Sequence, residues 1–196
     1  MANIQYYVID TETTGLSNFH EITEISIIRC SDLHQLTKYI KVEHPEKASS
    51  QALIKTGRTY EDLLRGESKE KVVEYCDRFF AADKLTIEHR CCIAHNSSFD
   101  ARFCHALWSS VGKIFPCNLW LDTKPFAKKW ATMLGIEKPS LTLESCLQFT
   151  GLTPIDQVQH EAAADARNTY LLYKKGCDAG VDHTDFIKRV PHKIDE

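Results

Sequence analysis

The chain has 196 residues, 43% hydrophobic and 26% charged, with a formal net charge of −3. That balance fits one water-soluble globular domain able to bury a substantial core, and it excludes the disordered and fibrous classes. No apolar run approaches the roughly 18 to 20 residues of a membrane span, and so acidic a chain does not coat long nucleic acid through its field alone, although it can still grip a few nucleotides.

The first element is a strand. Ile4, Tyr6, Tyr7, Val8 and Ile9 form an apolar, β-prone run of the kind covered on both faces, and it ends in Asp10 and Glu12. Side chains alternate along a strand, so the two carboxylates point to the same side. Like charges converging at the end of a core strand repel and lose hydration unless a cation sits between them. A divalent ion is one answer; acids that merely end a strand at the surface are the other.

Thr13, Thr14 and Gly15 mark a turn, after which residues 24–29 and 36–42 read as strands, giving a three-strand meander. Residues 60–65 and 68–81 read as helices, the second with Val72, Val73, Cys76, Phe79 and Phe80 as its apolar stripe. Residues 90–94 form a short buried strand. Ser97 or Ser98 can then cap a helix carrying Phe99, Phe103, Ala106 and Leu107 on one face. Asp100 falls in the first turn of that helix, where the dipole favours an acid whatever else it does.

Residues 118–121 read as another strand. Lys124, Lys128, Lys129 and Trp130 form a basic aromatic stretch that can follow a nucleic-acid backbone or be an ordinary solvated helix face. Two helices close the core, over residues 141–149 and 161–175, the second stopped by Gly176 after Lys174 and Lys175. In HEAAADA, residues 160–166, five positions on a helix turn through about 500°, so His160 and Asp165 do not share a face. If both serve one site, His160 sits on the loop entering the helix.

This order predicts an α/β fold: a mixed central sheet, three-strand meander then alternating β and α, with helices on both faces. Residues 1–180 form the domain and 181–196 a polar C-terminal tail that docks loosely. Strand ends in such sheets are common places for sites. The eight cysteines are scattered, without a C-x-x-C pair, and read as reduced core residues. With no signal-type N-terminus in MANIQYYVID, the expected location is cytoplasmic.

VIDTETTG, HNSSFDARF and HEAAADA, in that order, resemble the three motifs of the DEDD superfamily of 3′–5′ exonucleases, histidine type. The D-x-E pattern is met by Asp10 and Glu12, N-x-x-F-D by Asn96, Phe99 and Asp100, and H-x-A-x-x-D-A by His160, Ala162, Asp165 and Ala166. The resemblance runs from about residue 4 to about residue 175. Each motif alone says little; the ordered set is specific.

The resemblance implies an RNase H-like fold and a two-metal phosphodiester hydrolysis. Asp10, Glu12, Asp100 and Asp165 would hold two divalent cations, Mg²⁺ or Mn²⁺, with His160 as general base. Thr13, Thr14, Gly15 and Leu16 would hold the terminal nucleotide, Leu16 wedged at its base. Asn96 and Phe99 are further substrate candidates, although a helical aromatic is more often core.

The implied reaction releases nucleoside 5′-monophosphates from the 3′ end of single-stranded DNA. The alternatives are an RNA-directed exoribonuclease and, in a different class, a non-catalytic nucleic-acid binder that kept the fold. A homodimer or a replication or repair protein is the implied partner, and no membrane is. One departure bears on substrate contacts: Thr56-Gly57-Arg58-Thr59 stands where relatives often carry a His-Gly-Ile turn.

Overall fold

Three antiparallel strands from the first third of the chain set the frame. In the computed structural model, which describes residues 4–155 and 161–190, β1 (Gln5–Thr13) pairs with β2 (Ile22–Arg29), and β2 with β3 (Gln35–Tyr39). There follow α1 (Ser50–Thr56), α2 (Tyr60–Leu63), α3 (Lys69–Ala81), β4 (Arg90–Ala94), α4 (Ser97–Ser110), β5 (Leu119–Asp122) and α5 (Thr123–Met133). The chain closes with α6 (Leu143–Phe149), α7 (Ala162–Asp178) and β6 (Ile187–Arg189). Strand order across the sheet is β3-β2-β1-β4-β5-β6, with β4 parallel to β1 and β5 parallel to β4.

Strand periodicity divides the core in two. Tyr7, Ile9, Ile25, Ile27, Cys92 and Trp120 pack with Val72 and Phe80 of α3 and Phe103 and Trp108 of α4. On the other face Val8, Ile28, Cys91, Ile93 and Leu121 meet Phe126 and Trp130 of α5 and Leu172 and Tyr173 of α7. Each large apolar side chain buried this way stabilises by about 1.5–3 kcal/mol, so the mixed sheet with helices on both faces follows from the pattern. All eight cysteines are free and most are buried, as their apolar surroundings imply. Among the described residues no helix is long and apolar enough to cross a membrane.

A buried polar knot ties β4 to the end of α3. Asp83 accepts from Tyr7 Oη at 2.7 Å, from Arg90 Nε at 2.8 Å and Nη2 at 2.6 Å, and from the Leu85 amide at 2.8 Å.

Several local expectations are corrected. α1 was not visible in the periodicity, because it is a seven-residue helix made by its ends: Ser49 Oγ accepts the Ala52 amide, and Gly57 closes it with φ 65°. α5 is a full helix, on which Lys128 and Lys129 face solvent while Trp130 is core. α4 is entered through Asn96, in the left-handed region at φ 85° with no side-chain cap, and not through a Ser97 or Ser98 cap. Its buried face is Asp100, Ala101, Phe103, Cys104 and Trp108; Ala106 is exposed.

Gly176 does not stop α7, which continues to Asp178. A Cβ at Gly176 would come within 2.4 Å of the Phe126 ring, so the glycine is there to let α7 lie against α5. The described part of the tail, residues 181–190, also does more than dock loosely: Val181 is buried, and β6 adds an antiparallel edge to β5.

Candidate active site

β1 outruns its parallel neighbour. Its pairing with β4 reaches Val8 opposite Ile93, while its ladder with β2 continues to Thr13. Asp10 and Glu12 therefore project beyond β4 into a cleft of about 820 Å³ at the C-terminal ends of the parallel strands. They share the face of β1 that α7 covers, and Asp165, in the first turn of α7, meets them there. One carboxylate oxygen from each of Asp10, Glu12 and Asp165 lies within 4.8 Å of the other two.

Asp100 comes from the opposite layer. Thr11, between the two acids in sequence, points to the α4 face, and its Oγ1 donates to Asp100 Oδ1 at 2.8 Å. Asp100 stands beside the trio, close enough for its charge to act on Asp10.

Without a cation these acids disfavour their own ionisation. Burial, then the charges of Asp100, Asp165, Glu12 and Glu24, push the Asp10 carboxyl well above the ordinary range. Burial pushes Glu12 up to about 7 against the pull of Lys55, and burial pushes Asp100 up to about 7 against the Thr11 hydroxyl. A divalent cation removes that penalty, and the trio offers hard oxygen donors only, which suit Mg²⁺ or Mn²⁺ better than a soft metal. The residues present fit such an ion.

The rim is built from separately anchored pieces. Thr13, Gly15 and Leu16 line the cleft. Thr14 is buried behind them, where its carbonyl accepts the Ser49 amide at 2.8 Å and its Oγ1 accepts the Glu21 amide at 3.0 Å. A Cβ at Gly15 would fall 2.5 Å from the His20 ring, so this turn needs glycine for close approach. Leu16 is 75% exposed at the mouth. Arg102 of α4 holds its loop, Nη2 donating to the Leu16 carbonyl at 2.7 Å and Nη1 to Asn18 Oδ1 at 3.0 Å.

Asn96 and Phe99 also line the cleft, Phe99 half-buried against Phe103. The Asn96 amide donates to Asp122 Oδ1 at 3.1 Å, and the same oxygen caps α5 by accepting the Lys124 amide at 2.9 Å.

His95 also borders the cleft, but both ring nitrogens are engaged, with Thr123 Oγ1 at 2.8 Å and the Leu141 carbonyl at 2.9 Å. Burial lowers its pKa. It is a neutral strut, not a mobile base. His160 lies outside the described residues.

Sequence reasoning missed Thr11, Lys55, His95 and Asn168, all of which line the cleft. Asn168 had a signal, lying three residues beyond Asp165 on one helix face; Thr11 and Lys55 act through partners distant in sequence.

A family model described as Exonuclease, RNase_T, matches residues 7–173. A PolC-type DNA polymerase III from Thermotoga petrophila is 31% identical over 176 residues, which cover 87% of this chain and 12% of that protein. The chain thus spans about an eighth of that relative's length. Among solved structures, the nuclease domain of 3′hExo, described as a DEDDh family member bound to rAMP, aligns with a TM-score of 0.72 at 16% identity over 96% of both chains. A zinc-bound E. coli ExoI–ssDNA complex aligns with a TM-score of 0.76 at 18% identity over 94% of this chain and 42% of that one. The shared fold is RNase H-like.

Proposed function

This chain belongs to the RNase_T family of exonucleases, within the DEDD superfamily, and from that premise we propose that it shortens single-stranded DNA from the 3′ end, releasing nucleoside 5′-monophosphates. The observation that carries the reading is the convergence of Asp10, Glu12 and Asp165 within 4.8 Å in a cleft, with Asp100 beside them. A cluster of acids held at a cost in ionisation is what a cation-dependent phosphodiesterase needs and what a passive binder has no use for.

Asp10, Glu12, Asp100 and Asp165 would hold two divalent cations, Mg²⁺ or Mn²⁺. Bound there, the cations would polarise the scissile phosphate and make the attacking water more acidic. The chain's own groups do the rest. His160 takes the proton from the attacking water, a task suited to an imidazole with an ordinary pKa of about 6.5. Thr13 and Gly15 hold the terminal nucleotide, Leu16 lies against its base, and Asn96 and Phe99 make further contacts with it. Lys55 and Lys124, both lining the cleft, balance phosphate charge. The description of the polymerase relatives supports DNA as substrate and a replication partner.

The test is incubation with 5′-labelled single-stranded DNA and RNA of matching sequence, with Mg²⁺, Mn²⁺ or EDTA. A cation-dependent ladder receding from the 3′ end of DNA is expected, weakened more than about a hundredfold in Asp10→Ala. A ladder on RNA alone would reassign the substrate; no shortening of either strand would sink the enzyme reading.

A further inference from the structure

Glu24 lies outside the three motifs, yet it stands directly across the β1–β2 ladder from Glu12 and so points to the same face of the sheet. Its side chain is 1% exposed and does not line the cleft. Oε2 accepts from Arg58 Nη2 at 2.6 Å. Oε1 is buried with no hydrogen-bond partner, on the face of the sheet that α7 covers, and the amides of Ala162 and Ala163 at the head of α7 lie near enough to favour the ionised carboxylate.

Those two amides belong to the first turn of α7, where a helix leaves its N–H groups without internal partners. The N-cap residue of α7, Glu161, contributes no side-chain cap. The negative charge that favours such a helix start comes from another element, the Glu24 carboxylate, two residues before Asp165 at its nearer amide. Arg58 in turn follows Gly57, the left-handed residue that ends α1, and its guanidinium lies 4.7 Å over the Tyr39 ring. α1 presents Lys55 to the cleft, where its charge acts on Glu12. A buried ion pair of this kind is costly to desolvate, and its retention is better explained by fixing geometry than by stability.

We propose that Glu24 is a positioning residue for the exonuclease reaction, fastening the first turn of α7, and with it Asp165, to the sheet beside Asp10 and Glu12, while its ion pair with Arg58 ties the end of α1 to the same point. This inference rests on the exonuclease reading above. Neither Glu24 nor Arg58 touches the substrate in this scheme. The side chain at 58 thereby takes a structural task in a turn where contact with substrate was the concern.

The experiment compares the unaltered chain with Glu24→Gln, Arg58→Ala, Arg58→Lys and the Glu24→Gln/Arg58→Ala double variant. It measures kcat and KM on a single-stranded oligonucleotide, Mn²⁺ binding by calorimetry, and folding by circular dichroism and Tm. Glu24→Gln is expected to lower kcat and Mn²⁺ affinity by about 10- to 100-fold with KM changed less than about twofold. Arg58→Ala should lower kcat similarly, Arg58→Lys should recover most of the loss, and the double variant should be no worse than Glu24→Gln, since the pair acts as a unit.

If Glu24→Gln fails to fold, the two Arg58 variants decide, because only a charge-dependent tether predicts rescue by lysine. Unchanged kcat and Mn²⁺ affinity in folded Glu24→Gln, or losses that merely track the unfolded fraction, would overturn the proposal. An inactive unaltered chain would instead overturn the exonuclease reading, with Mn²⁺ affinity still reporting on the hold over Asp165.

Discussion

A single hydroxyl braces the fourth acid from across the sheet. Thr11 reaches through β1 to Asp100 from the side opposite Asp10 and Glu12. Thr11→Val keeps the β-branched shape and removes only the donor, so kcat should fall by about tenfold while Tm moves little; steady-state kinetics beside a melting curve checks it. The acids at this site also carry a pH signature. The Glu12 and Asp100 pKa values, raised by burial to about 7, give stability that is present below the ordinary carboxylate value and lost as pH rises through about 7. Mn²⁺ reverses this by favouring the ionised forms, so the Tm gain on adding Mn²⁺ should be larger at pH 8 than at pH 5.5 in a thermal-shift titration.

The four acids were legible in the sequence because their types and spacing are the signal. Thr11, Lys55 and Glu24 were not. Thr11 and Glu24 depend on partners 89 and 34 residues away, and a threonine between two acids, or a glutamate in a strand, has no pattern of its own.

At the level of elements, the meander, α3, β4 and α7 could be read from apolar periodicity because each buries a face of the sheet-and-helix core. α1 could not, since capping groups define it and no stripe does. The end of α7 was misplaced because Gly176 serves packing where the local pattern reads termination. Gly176→Ala tests that distinction. Helix propensity alone would favour alanine by about 1 kcal/mol, but a methyl group driven into Phe126 should reverse the sign and destabilise by about 1–3 kcal/mol. Urea denaturation would show which effect wins.

Across the whole molecule, one sheet brings motifs from both ends of the chain to the C-terminal edge of its parallel strands, and the opposite edge is pinned by Asp83 and Arg90. Both side chains of that pair are nearly fully buried. Burial alone would raise the Asp83 pKa, but bonds from Arg90, the Leu85 amide and Tyr7 outweigh it and hold it below the usual value. The resulting stability is present above about pH 4, the ordinary carboxylate value, and is lost as pH falls through the lower folded value. Asp83→Asn, which leaves a buried guanidinium short of its counter-charge, should cost about 3–5 kcal/mol and flatten the acid limb of the stability curve, measured by chemical denaturation from pH 7 down to pH 3.

α4 carries Asp100 on its buried side and, two residues on, Arg102, which grips the loop of Leu16. Two residues of helix span about 3 Å along the axis. Under the function proposed above, the acids and the loop that would meet the terminal base are both held from α4, by helix pitch and not by a loop alone. On that reading the arrangement would set the stride, each cut leaving the next nucleotide the same short distance from the acids whatever its base.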